Sequence, residues 1–161
     1  MADNKYAGFW LRFVAYIIDY IILYVISGFI IIPILGAVGL SVGASTDGFD
    51  MSTMTEGDMI AMASAIGGAI FAGGLITLVI TILYYTLMEA SKYQATVGKL
   101  ALGLKVTDSS GGKLDFGKAL IRQLGKIVSG IILMIGYIMA GFTEKKQALH
   151  DMIAGTLVVK K

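Results

Sequence analysis

The chain has no cysteine, and among its 161 residues there is one histidine, one proline and one tryptophan. Without cysteine there are no disulfides, no thiolate catalysis and no cysteine zinc sites, and the redox compartment is left open. A single histidine cannot build a multi-histidine metal site. Charge is scarce as well: Asp, Glu, Lys and Arg make up 15% of the chain, against about 25% in ordinary soluble domains. What replaces charge is apolar surface, at 57% of residues where roughly 45–50% is usual. These side chains gather in long runs. An ordinary soluble domain is excluded.

The first run, Phe13 to Leu40, covers 28 residues with Asp19 as its only charge. A membrane span needs about 20 predominantly apolar residues, so this run suffices, with slack for tilt or a kink at Pro33. Val42-Gly43-Ala44 loosely resembles a signal-peptide cleavage site, but a signal core is about 7–15 residues long. The second run, Met59 to Met88, is 30 residues without a charge. Ala61, Ala65, Ala69, Gly73, Thr77 and Thr81 recur along it at every fourth position. Such a ridge lets another helix approach closely, in this chain or in a second copy.

The loop between the runs holds Asp47, Asp50, Glu56 and Asp58 and lacks Lys and Arg. After the second run come Lys92, Lys99, Lys105, Lys113, Lys118, Arg122 and Lys126. Positive charge stays on the cytoplasmic side, so the N-terminus and residues 89–126 are expected inside and the acidic loop outside. The third run, Ile127 to Phe142, is only 16 residues long and is broken by Gly130, Gly136 and Gly141. A re-entrant hairpin that returns the tail to the cytoplasm is the expected course, and a single crossing is the alternative. Lys118, Arg122 and Lys126 recur every four residues on a helix expected from about Asp115, a stripe suited to anionic lipid headgroups. Two β-type segments, Leu102 to Thr107 and Gly155 to Lys160, are expected to pair on the cytoplasmic side. The expected fold is therefore an all-α membrane protein. It is a small bundle of two full transmembrane helices, a third broken or re-entrant hydrophobic helix and a short β-type pairing.

Asp19 lies seven positions after Arg12, about 10 Å deeper along a helix. A carboxylate in hydrocarbon costs on the order of 2.5–3.5 kcal/mol, so it faces protein or water and has a partner. Arg12 and Asp19 share a face, but helical side chains lean toward the N-terminus, which carries Arg12 away. The candidate partners are Glu89 or Asp151 for Arg12, and Arg122 or Lys99 for Asp19. One reading makes Asp19 a proton- or cation-binding carboxylate. The other makes Arg12, Asp19, Glu89, Arg122 and Asp151 a buried ion-pair network that fixes helix docking. His150 is expected to cap or pair at headgroup level, where it could sense pH. Gly98-Lys99 lacks the leading glycine and following hydroxyl of a phosphate-binding loop.

Several segments together resemble the RDD family of bacterial membrane proteins, which is named for one arginine and two aspartates. They are Ala7-Gly8-Phe9-Trp10-Leu11-Arg12 with Ala15 and Ile18-Asp19, Gln94 to Lys99, Leu102 to Val106, Arg122, and Leu149 to Thr156. The resemblance covers nearly the whole chain in order and makes residues 1–161 one transmembrane domain. It implies Arg12, Asp19 and Asp151 as the defining residues, and a place in the bacterial inner membrane. For function it implies transport of an unidentified ligand, in some members cation/proton exchange, or an accessory role beside membrane enzymes. The residues themselves leave two expectations open: a transport component acting as a homo-oligomer, and a non-transporting scaffold that binds another membrane protein. No nucleophile, cofactor loop or metal set argues for an enzyme, and nothing beyond the basic segment argues for nucleic acid.

Overall fold

The computed structural model describes residues 5–45, 52, 54–131 and 135–161. Helix α1 (Phe9–Ser45) carries the first apolar run with Pro33 inside it, and α2 (Glu56–Ala90) carries the second. At 1.5 Å per residue each is about 50 Å long, more than the roughly 30 Å hydrocarbon core. Both are long and apolar enough to cross a membrane, and their most apolar stretches are almost entirely unburied within the chain. A capping box starts α2: Thr55 Oγ1 accepts from the Asp58 amide at 3.2 Å, and Asp58 Oδ2 accepts from the Thr55 amide at 3.0 Å.

Beyond α2 come α3 (Val97–Ala101), β1 (Leu104–Asp108), α4 (Phe116–Ile131), α5 (Ile135–Ile138), a 3₁₀ turn at Met139–Gly141, α6 (Leu149–Ile153) and β2 (Thr156–Lys160). The third apolar run is thus divided between the end of α4, the short α5 and the 3₁₀ turn. Its residues 132–134 lie outside the described residues, as does most of the acidic loop. Asp115 starts α4, its Oδ1 accepting from the Lys118 amide at 2.9 Å.

One local pattern occurs twice. A five-residue helix, α3 or α6, is followed by two residues ending in glycine and then by a five-residue strand. Gly103 (φ 65°) and Gly155 (φ 61°) hold the left-handed conformation that stops each helix. The strands pair antiparallel, with Val106 opposite Val158 at the centre. The far edge of β2 is occupied too: Ala7 donates to Val158 O at 2.9 Å, and Lys160 donates to Lys5 O at 2.9 Å. The far edge of β1 is met by Gln94, whose carbonyl accepts from the Val106 amide at 2.6 Å.

The chain divides into two compact units. Unit 1 comprises residues 1–22 and 81–161, and its core joins Ala7, Ala15, Leu104, Val106, Leu114 and Val158. Unit 2, residues 23–80, contains the middle of the small-residue ridge. There Ala69 and Gly73 are buried, and a Cβ on Gly73 would lie 3.3 Å from Ile31 Cγ1. At Gly73 the ridge therefore serves a contact within the chain.

Candidate functional site

Unit 1 contains two polar clusters. The first surrounds Asp19, which is 1% exposed. Its Oδ1 accepts from the Tyr84 hydroxyl at 2.8 Å and from the Gly98 amide at 2.7 Å, and its Oδ2 accepts from the Thr96 hydroxyl at 2.6 Å. All three donors are neutral. The sequence pointed to Arg122 or Lys99 as partners of Asp19, but those cations are engaged elsewhere. The backbone at Gly98 explains how the amide gets so close. A Cβ there would lie 2.1 Å from Ala15 O, so only glycine lets the start of α3 rest against α1.

The second cluster collects cations and carboxylates from five helices. Arg122, on α4, donates from Nη1 to Glu89 Oε2 at 2.5 Å. It also donates from Nε to Asp151 Oδ1 at 2.9 Å, and its Nη2 lies 2.8 Å from the same oxygen as an ion pair. Glu89, near the end of α2, accepts from Lys99 of α3 as well. Asp151 of α6 also accepts from Arg12 of α1 and from the Ala148 amide at 3.1 Å. Of the two partners open to Arg12, Asp151 is the one it meets, and its remaining donors reach Ala7 O at 2.8 Å and Lys146 O at 2.5 Å. Glu89, Arg122 and Asp151 are each at most 1% exposed. Charges this deep persist only when paired and hydrogen-bonded.

Burial opposes the charge on Asp151, but Arg122 and then Arg12 outweigh it and hold the carboxyl well below its ordinary range. Burial likewise opposes the Arg122 cation, and Glu89 and Asp151 more than compensate. Lys99 comes out lowered, because burial exceeds the pull of Glu89. Lys126 is pushed down to about 7, first by burial, with Glu89 opposing and Lys99 and Arg122 adding to it.

Two expectations need correcting. His150, expected to cap or pair at headgroup level, was also expected to be able to sense pH, and it is the pH sensing that fails. The residue is 4% exposed, with Gly125 and Ser129 close by and the Tyr137 ring 5.1 Å away. Burial pushes it from 6.5 down to about 2, so the imidazole is neutral at physiological pH. The Lys118, Arg122 and Lys126 stripe was expected to reach for headgroups. Only Lys118 is exposed; Arg122 and Lys126 turn inward because Glu89 and Asp151 are there.

A cavity of about 230 Å³ adjoins the second cluster. Arg12, Lys99, Arg122 and Lys126 line one part of it, and Phe9, Phe13, Tyr16 and Ile138 line another. Tyr85 borders it as well, with the Lys126 ammonium 3.9 Å from its ring centroid. Tyr84, Tyr85 and Thr96 were not singled out from the sequence, and Gly98 entered there only through the phosphate-loop comparison that failed. The motif Gln94 to Lys99 held the available signal for two of them. Tyr84 and Tyr85 sit in an apolar run with nothing to mark them. Among the described residues no group of His, Asp and Glu side chains could hold a metal.

Fold and clusters together define a small α-helical membrane protein whose two long apolar helices are joined at one end by a buried polar network. The chain belongs to the RDD family, whose profile matches residues 6–155. It is 43% identical over 158 residues to the uncharacterized protein YxaI of Bacillus subtilis (strain 168), covering 98% of this chain and 99% of that one. It is 27% identical to the uncharacterized membrane protein YteJ of the same organism, covering 99% of this chain and 84% of that one. A shorter match, 32% identical over 66 residues, is to the proline-rich antigen homolog of Mycobacterium tuberculosis (strain ATCC 25618 / H37Rv), covering 40% of this chain and 28% of that one. No solved structure matches the chain. The chain is a bacterial membrane protein.

Proposed function

We propose that this protein is a transport component of the bacterial inner membrane that handles a small ligand at the unit 1 cavity. The observation that carries the reading is the cavity itself, where buried cations border an apolar wall. Ligand sites are typically concave and mostly apolar with a few convergent polar groups. The asymmetric loops support a cytoplasmic N-terminus, with the basic segment 89–126 on the same side. Cation/proton exchange at Asp19 draws less support, because neutral protein donors already hold both carboxylate oxygens.

A cavity in so short a chain offers little wall for a pathway, which favours a homo-oligomer. On α2, Gly67, Gly68 and Gly74 have no atom within 4 Å of where a Cβ would stand, so the backbone is open to another helix. The same opening supports a second reading, a scaffold that binds a different membrane protein. Crosslinking in the native membrane separates them: a second copy supports the homo-oligomer, and a different protein supports the scaffold.

Proteoliposomes loaded with a pH-sensitive dye test transport directly, using pulses of Na⁺, K⁺, phosphate and sulfate. At least one solute should give a response absent from empty vesicles, and Ile138→Trp, which crowds the half-exposed cavity wall, should abolish it. Traces identical to empty vesicles for every solute would overturn proton-coupled transport of these ions. A Na⁺ or K⁺ response that Asp19→Asn alone removes would move the ligand site to Asp19.

A further inference from the structure

We propose that the unit 1 cavity binds a phosphate-type oxyanion carried on an apolar body, with the oxyanion on Lys126 and the Tyr85 hydroxyl and the body along Phe9, Phe13 and Tyr16. This rests on the ligand-handling reading above and names the chemistry of its ligand. Charge points that way first. Among the described residues that line the cavity or bond to its cations, Arg12, Lys99, Arg122 and Lys126 face two carboxylates, Glu89 and Asp151. Such an excess repels a cation and attracts an anion.

Hydrogen bonding points the same way. Arg12, Lys99 and Arg122 all donate to carboxylates. Lys126 does not: its nearest carboxylate oxygen, Glu89 Oε1, is 3.9 Å away, beyond hydrogen-bond reach. Tyr85 is 5% exposed, and its hydroxyl has no hydrogen-bond partner among the described residues. A buried donor left unmade is costly. This buried hydroxyl and the partly buried Lys126 ammonium border one cavity, and an oxyanion accepts from both.

Size and surroundings narrow the ligand. At about 230 Å³ the cavity is smaller than the roughly 300–1,000 Å³ usual for drug-sized ligands, so it suits a headgroup-sized anion. Phe13 and Tyr16 are 43% and 49% exposed at its apolar wall, on a helix long enough to cross the bilayer. An acyl chain attached to the anion can lie there in lipid. Free phosphate shares the head chemistry without the body.

The test uses the full chain in detergent at pH 6, below the value of about 7 to which burial pushes Lys126. Native mass spectrometry counts adducts with phosphatidylglycerol or phosphatidylcholine, with and without inorganic phosphate. One phosphatidylglycerol per chain is expected, with phosphatidylcholine at least fivefold weaker. Lys126→Gln should weaken phosphatidylglycerol about fivefold, the worth of one basic residue near anionic lipid. Lys126→Arg should restore it, and the exposed Lys118→Gln should leave it unchanged. Tyr85→Phe removes one hydroxyl and keeps the ring, so it reports on the site even where Lys126→Gln fails to fold. Displacement by inorganic phosphate assigns the site to free phosphate, and no displacement assigns it to the lipid. Equal phosphatidylglycerol and phosphatidylcholine adducts without phosphate binding, or binding indifferent to both Lys126→Gln and Tyr85→Phe, would overturn the site. Binding without flux overturns transport alone; flux with binding indifferent to both variants overturns the oxyanion site alone.

Discussion

Units 1 and 2 each contain a part of both long helices, and each is held internally by a different means. Unit 1 contains the buried charges, the strand pairing and the three-donor cradle of Asp19. Unit 2 contains apolar helix with small residues at the point of contact. In lipid, apolar side chains gain little by leaving hydrocarbon for one another, so helices associate through close packing and hydrogen bonds. Unit 2 relies on the first of these, whereas unit 1 relies heavily on the second. Specificity in unit 1 is therefore concentrated in a few residues whose loss leaves a partner stranded.

The largest test of this contrast is Arg122→Leu. It removes the cation that Glu89 and Asp151 share, leaving Lys99 alone bonded to the first and Arg12 to the second. It should destabilise unit 1 by about 3 kcal/mol, the lower end of the cost of breaking a buried ion pair. Unfolding in mixed micelles, followed by the fluorescence of the one tryptophan, Trp10, would measure it. A loss under about 1 kcal/mol would place the network among exposed pairs and erase the contrast.

Gly98→Ala comes next. Its Cβ would meet a backbone oxygen that cannot rotate away, so a loss of about 1–3 kcal/mol is expected in the same titration. Protease sensitivity around Gln94 to Val97 should rise with it.

The third test is pH. Unfolded, His150 takes up a proton below its ordinary 6.5, whereas folded it stays neutral down to about 2. Its contribution is therefore complete above 6.5 and drains away as pH falls below that. Between pH 6.5 and about 5, stability should decline by at most about 1.4 kcal/mol per unit. His150→Gln should flatten the decline, and an unchanged slope would put the imidazole in water.

The smallest effect belongs to unit 2. A Cβ on Gly73 meets only the flexible side chain of Ile31, at 3.3 Å. Gly73→Ala also gains up to about 1 kcal/mol of helix propensity, so the net change should stay within about 1 kcal/mol. A loss as large as that of Gly98→Ala would show unit 2 to be as exacting as unit 1.

The two long helices, α4 and the strand pairing could be read in the sequence because each follows from a local pattern, whereas the short helices α3 and α6 could not. The apolar runs gave α1 and α2, and the β-type segments came within two residues of β1 and β2 at each end. The charged residues drawn from the sequence do meet in space, apart from Asp19. Its partners were beyond reach because sequence suggests a counter-charge for a buried carboxylate. It does not show that a backbone amide and two hydroxyls can satisfy one equally well. The same limit applied to α4. Spacing put Arg122 and Lys126 on one face with Lys118, but which residues faced the carboxylates depended on Glu89 and Asp151, 33 and 29 residues from Arg122.

The repeated helix–glycine–strand element has one more consequence, visible as symmetry. Antiparallel pairing about Val106 and Val158 places a local two-fold axis between the copies. Lys99 and Asp151 are then equivalent, each the third residue of its short helix. Two identical copies would bring two lysines or two aspartates to one buried network, where like charges repel. Opposite charges at the equivalent positions avoid this, and one copy reaches Glu89 while the other reaches both arginines. The backbone repeats where the chemistry has to differ, and the pseudo-symmetric frame holds an asymmetric site.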